Sequence, residues 1–230
     1  MQSQPQPVVV VQSRIQSVMQ QVYLWMTAGL LLTGAISSML ASNEVLLGMV
    51  LNPIVFIGLF VVELGLVLAI SAFINKMSPA LATGLFILYA AINGITLTPI
   101  FIAYTSASIA TAFFTTAGMF AALTLYGSVT KRDLSGMGRF LLMALFGLCI
   151  ATLVNIFLKN SFMDLVISIF GVLIFAGLTA YDTQRLNQIA SQAMSEDDIG
   201  RFSIMGALTL YLDFINLFLY LLRLFGKRND

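Results

Sequence analysis

The sequence contains no histidine and a single cysteine, Cys149, among its 230 residues. Without histidine it lacks both the side chain that ordinarily titrates near neutrality and the commonest metal ligand, so any pH response must come from carboxylates. One cysteine excludes an internal disulfide and a thiolate metal cluster, and the apolar surroundings of Cys149 predict an inert packing residue. Charge is scarce as well: 9% of residues are charged, the net charge is +1 and no basic run occurs. The chain therefore has no electrostatic footprint for nucleic acid, and no separate soluble domain to carry one. Proline ends at Pro99, which leaves the second half of the chain free of that helix breaker.

What is abundant is apolar. With 59% hydrophobic residues and a mean hydropathy of +0.96, the chain reads as an all-α integral membrane protein. Residues 1–20 are Pro/Gln-rich at the start and predict a polar N-terminal tail with a short amphipathic lead-in. Residues 21–230 predict a seven-helix transmembrane domain. The runs are Val22–Ala41, Pro53–Ile74, Pro79–Ala103, Ser106–Tyr126, Gly138–Leu158, Phe162–Tyr181 and Phe202–Phe225. The first lacks a small-x-small cleavage site and is expected to be retained. Pro99 predicts a kink in the third, and Ala112, Ala117, Gly118, Ala121 and Ala122 predict close helix packing in the fourth. Seven spans put Arg14, Lys76, Lys131, Arg132, Arg139, Arg185 and Arg201 on the N-terminal side, against Lys159, Arg223, Lys227 and Arg228 on the other. That imbalance favours a cytoplasmic N-terminus. The SEDDIG segment from Ser195 lacks the alternating ligands of a calcium loop and predicts a helix N-cap with acids in its first turn.

The last run carries polar groups that need a reason. Thr209, Asp213, Asn216, Tyr220 and Arg223 follow at steps of four, three, four and three, a single stripe along a helix. An ionisable residue at mid-membrane costs at least ~2.5 kcal/mol, so it normally faces a protein interior or a watery cavity. The stripe is therefore expected to be covered by neighbouring helices. Asp182 ends the sixth run. If it meets Asp213, one proton shared between the two carboxylates becomes favourable, and the pair is a pH switch without histidine. Glu63, in the middle of the second run, needs a cation or a proton, and Arg223 is the cation expected at similar depth. A structural ion pair and an outer gate are both open for these two residues.

Four segments, NGITLTPIF from Asn93, GMFAALTLYGSVTKRDLSG from Gly118, FAGLTAYDTQRL from Phe175 and GALTLYLDFINLFLYLLRLFG from Gly206, resemble in order and spacing the transmembrane Bax inhibitor motif, or Bax inhibitor-1-like, family, particularly its bacterial branch. The resemblance covers nearly all of the chain after the N-terminal tail. It implies two three-helix layers around a central C-terminal helix and a proton-sensitive calcium leak in the bacterial inner membrane. It matches the family's paired aspartates to Asp182 and Asp213, and its helix-two acid and last-helix arginine to Glu63 and Arg223. A basic residue that some relatives carry near the inner end of helix two has no clear match, since Ile74 or Asn75 falls there with Lys76 close by.

These observations predict a channel-like calcium or cation leak, not an enzyme and without a cofactor, most simply a monomer in the lipid bilayer. Calcium contact at Asp182 and Asp213 is expected to be weak and transient, because two acids make no tight cage. The alternative is a membrane-embedded regulator of other membrane proteins, such as an inner-membrane ATP-dependent protease, with the polar tail as its handle. An intramembrane aspartyl protease fits less well: LYLD ends at Asp213 where such enzymes have glycine-x-glycine-aspartate, and no later proline-alanine-leucine occurs.

Overall fold

Several of the helices begin with a residue suited to cap them. Asn52 and Pro53, Ser78 and Pro79, and Thr105 stand at the starts of three long helices, and the side chains of Asn52, Ser78 and Thr105 each accept a backbone N–H of the first turn. Asn160 does the same for Phe162 and Met163. At Ser195 the hydroxyl accepts from the Asp198 N–H and donates to the Asp198 carboxylate, as the predicted cap requires.

The computed structural model describes residues 8–192 and 195–229, and among these the regular structure is helical. The helices are α1 (Val8–Ala41), α2 (Glu44–Val50), α3 (Pro53–Phe73) with a 3₁₀ turn at Ile74–Lys76, α4 (Pro79–Thr96), α5 (Thr98–Ala103), α6 (Ser106–Val129), α7 (Ser135–Leu158), α8 (Ser161–Ala190) and α9 (Glu196–Phe225). Seven stretches are long and apolar enough to cross a membrane: Arg14–Ala41, Pro53–Lys76, Pro79–Ala103, Ser106–Val129, Ser135–Leu158, Ser161–Ala190 and Asp197–Phe225. The protein is an all-α integral membrane protein with seven spans. Helix α1 starts at Val8, and Val18 and Met19 are buried, so residues 8–20 continue into the first span; residues 1–7 lie outside the described residues. The third span breaks between α4 and α5 just before Pro99, where the Thr98 hydroxyl donates to the Gly94 carbonyl at 3.1 Å.

Two compact units can be distinguished, one of Met1–Pro99 with Leu186–Tyr211, the other of Ile100–Arg185 with Leu212–Asp230. In the first, α1 meets α4 through small residues. A side chain on Gly94 would strike the Thr33 carbonyl, and one on Gly29 would strike the Phe86 ring. In the second, Leu148, Ile167, Ile174, Phe175, Leu178, Leu217 and Leu221 form an apolar core. The lipid-facing surface is the reverse of a soluble one, with Ile54 and Phe157 more than four-fifths exposed.

Two expectations change. On α6 the buried face is Ala112, Thr116, Phe120, Thr124 and Gly127, while Gly118, Ala121 and Ala122 are exposed. Small residues let helices approach, but at this position they face lipid. Cys149 is likewise exposed on α7 rather than packed, beside the equally exposed Ile150.

Candidate functional site

Helix α9 is the most enclosed span: 67% of its apolar window is buried, against 11% for the span Pro53–Lys76. Leu210, Tyr211, Phe214 and Leu217 are buried as well as Asp213, so the polar stripe belongs to a helix covered on several faces. Thr209 and Asn216 turn back onto their own helix, donating to the carbonyls of Met205 at 3.0 Å and Leu212 at 2.8 Å. Tyr220 stacks on Phe175, with ring centroids 5.8 Å apart, and Gly171 leaves room for the ring. Arg223 lies over the Tyr220 ring at 5.6 Å.

Asp213 is 4% exposed, and the Asp182 side chain is the neighbouring group that acts on it. Ionised carboxylates are acceptors only, so a hydrogen bond between the two requires a proton on one of them. Oδ2 of Asp213 is buried with no hydrogen-bond partner among the described residues. Arg185, one turn beyond Asp182, is the cation whose charge acts on it.

Packing fixes both acids. A side chain at Gly127 of α6 would collide with the backbone of Ala180, and one at Gly138 of α7 with the Tyr181 ring, so both helices press closely on the turn of α8 that carries Asp182. Gln184 clasps the α6–α7 connection, accepting from the Leu134 N–H at 2.9 Å and donating to the Arg132 carbonyl at 2.7 Å. On α9, Phe214 makes edge contacts with Phe113 and Phe120, each at 5.5 Å between centroids, which sets the rotation of the helix beside Asp213.

Glu63 has a different environment. Its Oε1 accepts from Thr96 at 2.7 Å and from the Asn93 amide at 3.3 Å. The Tyr211 hydroxyl donates to Asn93 at 2.9 Å and lies 2.7 Å from the Thr33 hydroxyl, which donates to the Ala90 carbonyl. Glu63 and Arg223, expected as an ion pair, fall in different units, and each has the partners just described. Among the described residues the one ion pair is Arg201 with Asp198, and Arg201 also donates to the carbonyls of Asn75 and Met77. Arg201 thus caps the end of the second span, where no latch residue was found in the sequence.

No three of His, Cys, Asp and Glu converge among the described residues, so Asp182 and Asp213 have no further carboxylate to build a cage for a hard cation. Tyr211, Thr33 and Gln184, which lie off the polar stripe, carry no signal in the sequence that marks them for a site. Of the Glu63 site the sequence marked Glu63 itself and not the donors around it.

The model of the family described as Inhibitor of apoptosis-promoting Bax1 matches residues 15–230. The chain belongs to the Bax inhibitor family. It is 50% identical to the inner membrane protein YbhL of Escherichia coli K12, over 93% of each chain. An uncharacterized protein of Deinococcus radiodurans is 44% identical, over 94% of this chain and 93% of that one. An uncharacterized membrane protein of Streptococcus pyogenes is 41% identical, over 82% and 81%. Family membership covers every helix that builds the two acidic sites.

Proposed function

We propose that this protein is a pH-sensitive leak for calcium or a similar cation, closed when Asp182 and Asp213 share a proton and opened by a change in their protonation that moves α9. The observation that carries this proposal is the juxtaposition of the buried Asp213, which keeps an oxygen with no described partner, with the half-buried carboxyl group of Asp182. Such an arrangement is satisfied by a proton or a cation and by little else. Glu63 and Arg223 belong to the same proposal as outer gate residues. The stripe residues Thr209, Asn216 and Tyr220 are proposed to line the path once α9 moves. The membrane is proposed to be the bacterial inner membrane, by analogy with the name of the E. coli relative, with the N-terminus cytoplasmic on the distribution of basic residues.

Calcium entry into dye-loaded proteoliposomes across a range of pH tests this directly. The wild type is expected to show flux that depends on pH, and Asp213→Asn or Asp182→Asn to flatten the dependence. Well-folded protein that passes no calcium, or variants that keep the wild-type pH profile, would sink the proposal.

A further inference from the structure

The end of α9 opposite Ser195 contributes to a cavity of about 310 Å³ lined by Tyr104, Ser161, Asp164, Ser168, Arg223 and Arg228. That volume is at the small end of the range for ligand pockets. Its charges are opposite in sign, yet among the described residues they form no ion pair. Neither guanidinium makes an ion pair or a hydrogen bond among the described residues; Arg223 lies over Tyr220 and Arg228 over Tyr104, at 5.6 and 6.0 Å. Asp164 is pinned by Asn155, whose amide donates to Oδ1 at 2.7 Å, and Oδ2 accepts from no described residue.

The backbone holds these charges in place. Asn160 and Asn155 tie the α7–α8 turn, with the Asn160 N–H donating to the Asn155 side chain at 3.1 Å. The C-terminal segment is pinned by a bridge between Tyr104 and Arg228, by the Thr105 N–H on the Lys227 carbonyl and by the Asn229 N–H on the Ala103 carbonyl. Gly226 makes this possible, since a side chain there would strike the Tyr104 ring. The cavity sits where three spans end or begin, at Ala103, Ser161 and Phe225, a depth at which headgroups rather than acyl chains surround a membrane protein. Phe162 and Phe225 beside it are each 73% exposed, suited to apolar chains alongside.

We propose that this cavity binds a zwitterionic phosphate ester, a phosphodiester carrying a protonated amine, with the phosphate on Arg223 and Arg228 and the ammonium on Asp164. Guanidinium forks match phosphate oxygens, and a fixed carboxylate accepts from an ammonium that a choline or a glycerol cannot imitate. A phosphatidylethanolamine headgroup and a soluble phosphoethanolamine ester share this chemistry. The site shares Arg223 with the proposed outer gate, but Asp164 and Arg228 have no part in the leak mechanism, so it can stand if that fails.

Native mass spectrometry of the detergent-purified chain with equal phosphatidylethanolamine, phosphatidylglycerol or phosphatidylcholine tests it. The wild type is expected to retain phosphatidylethanolamine over both others by about tenfold, the worth of one charge-assisted hydrogen bond. Asp164→Asn, which keeps an acceptor for Asn155, is expected to erase that preference. Arg223→Gln combined with Arg228→Gln is expected to lower retention of every phospholipid. Displacement by glycerophosphoethanolamine would assign recognition to the headgroup alone, and resistance to it would assign recognition to the intact lipid. Equal retention of the three lipids by the wild type, or an unchanged preference in Asp164→Asn, overturns the proposal. Should the double arginine variant fail to fold, Asp164→Asn and Arg228→Gln alone decide it.

Discussion

Two buried carboxyl sites in this protein meet the same problem in opposite ways. Glu63 is supplied with neutral donors, Thr96 and Asn93, and Asn93 is itself held by Tyr211. Asp213 faces another acid and keeps one oxygen without a described partner. A carboxyl group fed by fixed amides and hydroxyls keeps those donors whether or not it carries a proton. Two acids facing each other cannot both ionise cheaply, since like charges 4 Å apart repel by ~4 kcal/mol even at an effective dielectric constant of about 20. Of the two sites, the second is the one whose internal contact depends on a proton.

The largest effect should come from making the first site resemble the second. Asn93→Leu removes one donor from Glu63 and the acceptor of Tyr211, two buried hydrogen bonds at once and one of them to a carboxyl group, at a cost of about 3 kcal/mol. Thermal unfolding in detergent should show the loss, and Glu63→Gln in the same background should recover part of it, because a neutral amide costs less to bury than a carboxylate. A stability unchanged by Asn93→Leu would mean that the donors around Glu63 do not hold it.

The converse experiment makes the second site resemble the first. Asp213→Asn places a permanent N–H donor opposite Asp182, so the bond no longer depends on a proton. Once the wild-type pair loses that proton it is left as two facing carboxylates, and the melting temperature should fall across that loss. The variant should not show that fall, and the two proteins should differ by about 2 kcal/mol at the alkaline end. Parallel pH profiles would show that the pair is not where protons act on stability.

A smaller effect is expected at Tyr211. Tyr211→Phe keeps the ring edge contacts with Phe86 and Tyr89, at 5.9 and 5.7 Å, but removes the hydroxyl between Asn93 and Thr33. The loss should be about 1 kcal/mol, because each former partner keeps another hydrogen bond, Asn93 to Glu63 and Thr33 to the Ala90 carbonyl. A loss as large as that of Asn93→Leu would show that the hydroxyl, rather than the amide, organises the site.

The contrast between the two sites was only half legible in the sequence. Seven spans could be read because apolar runs of the right length are separated by Asn, Ser, Thr and Pro at helix starts, and those are local signals. Asp182 and Asp213 drew notice because acids in apolar runs are rare. The surroundings of Glu63 were not legible, because Thr33, Asn93 and Tyr211 come from three distant segments and each is an ordinary residue in its own helix. The misplaced packing face of α6 has the same origin: small residues show where close approach is allowed, while the partner helix decides where it happens.

The smallest effect should appear outside the membrane, at Asp133 in the α6–α7 connection. The Ser135 side chain, and then its backbone N–H, bond to this carboxyl and hold it below the usual carboxylate range. A depressed value gives stability that is complete above the unfolded-state pKa and lost as pH falls through the folded one, so its contribution disappears only in acid. Asp133 is fully exposed, so Asp133→Asn should shift the acid side of the melting profile slightly and leave the alkaline side alone. That sign is opposite to the one expected of Asp182 and Asp213. Melting profiles of Asp133→Asn and Asp213→Asn recorded on one preparation would separate a surface cap from a buried proton-sharing pair. An alkaline change in the Asp133 variant would mean that proton-linked stability extends beyond the aspartate pair.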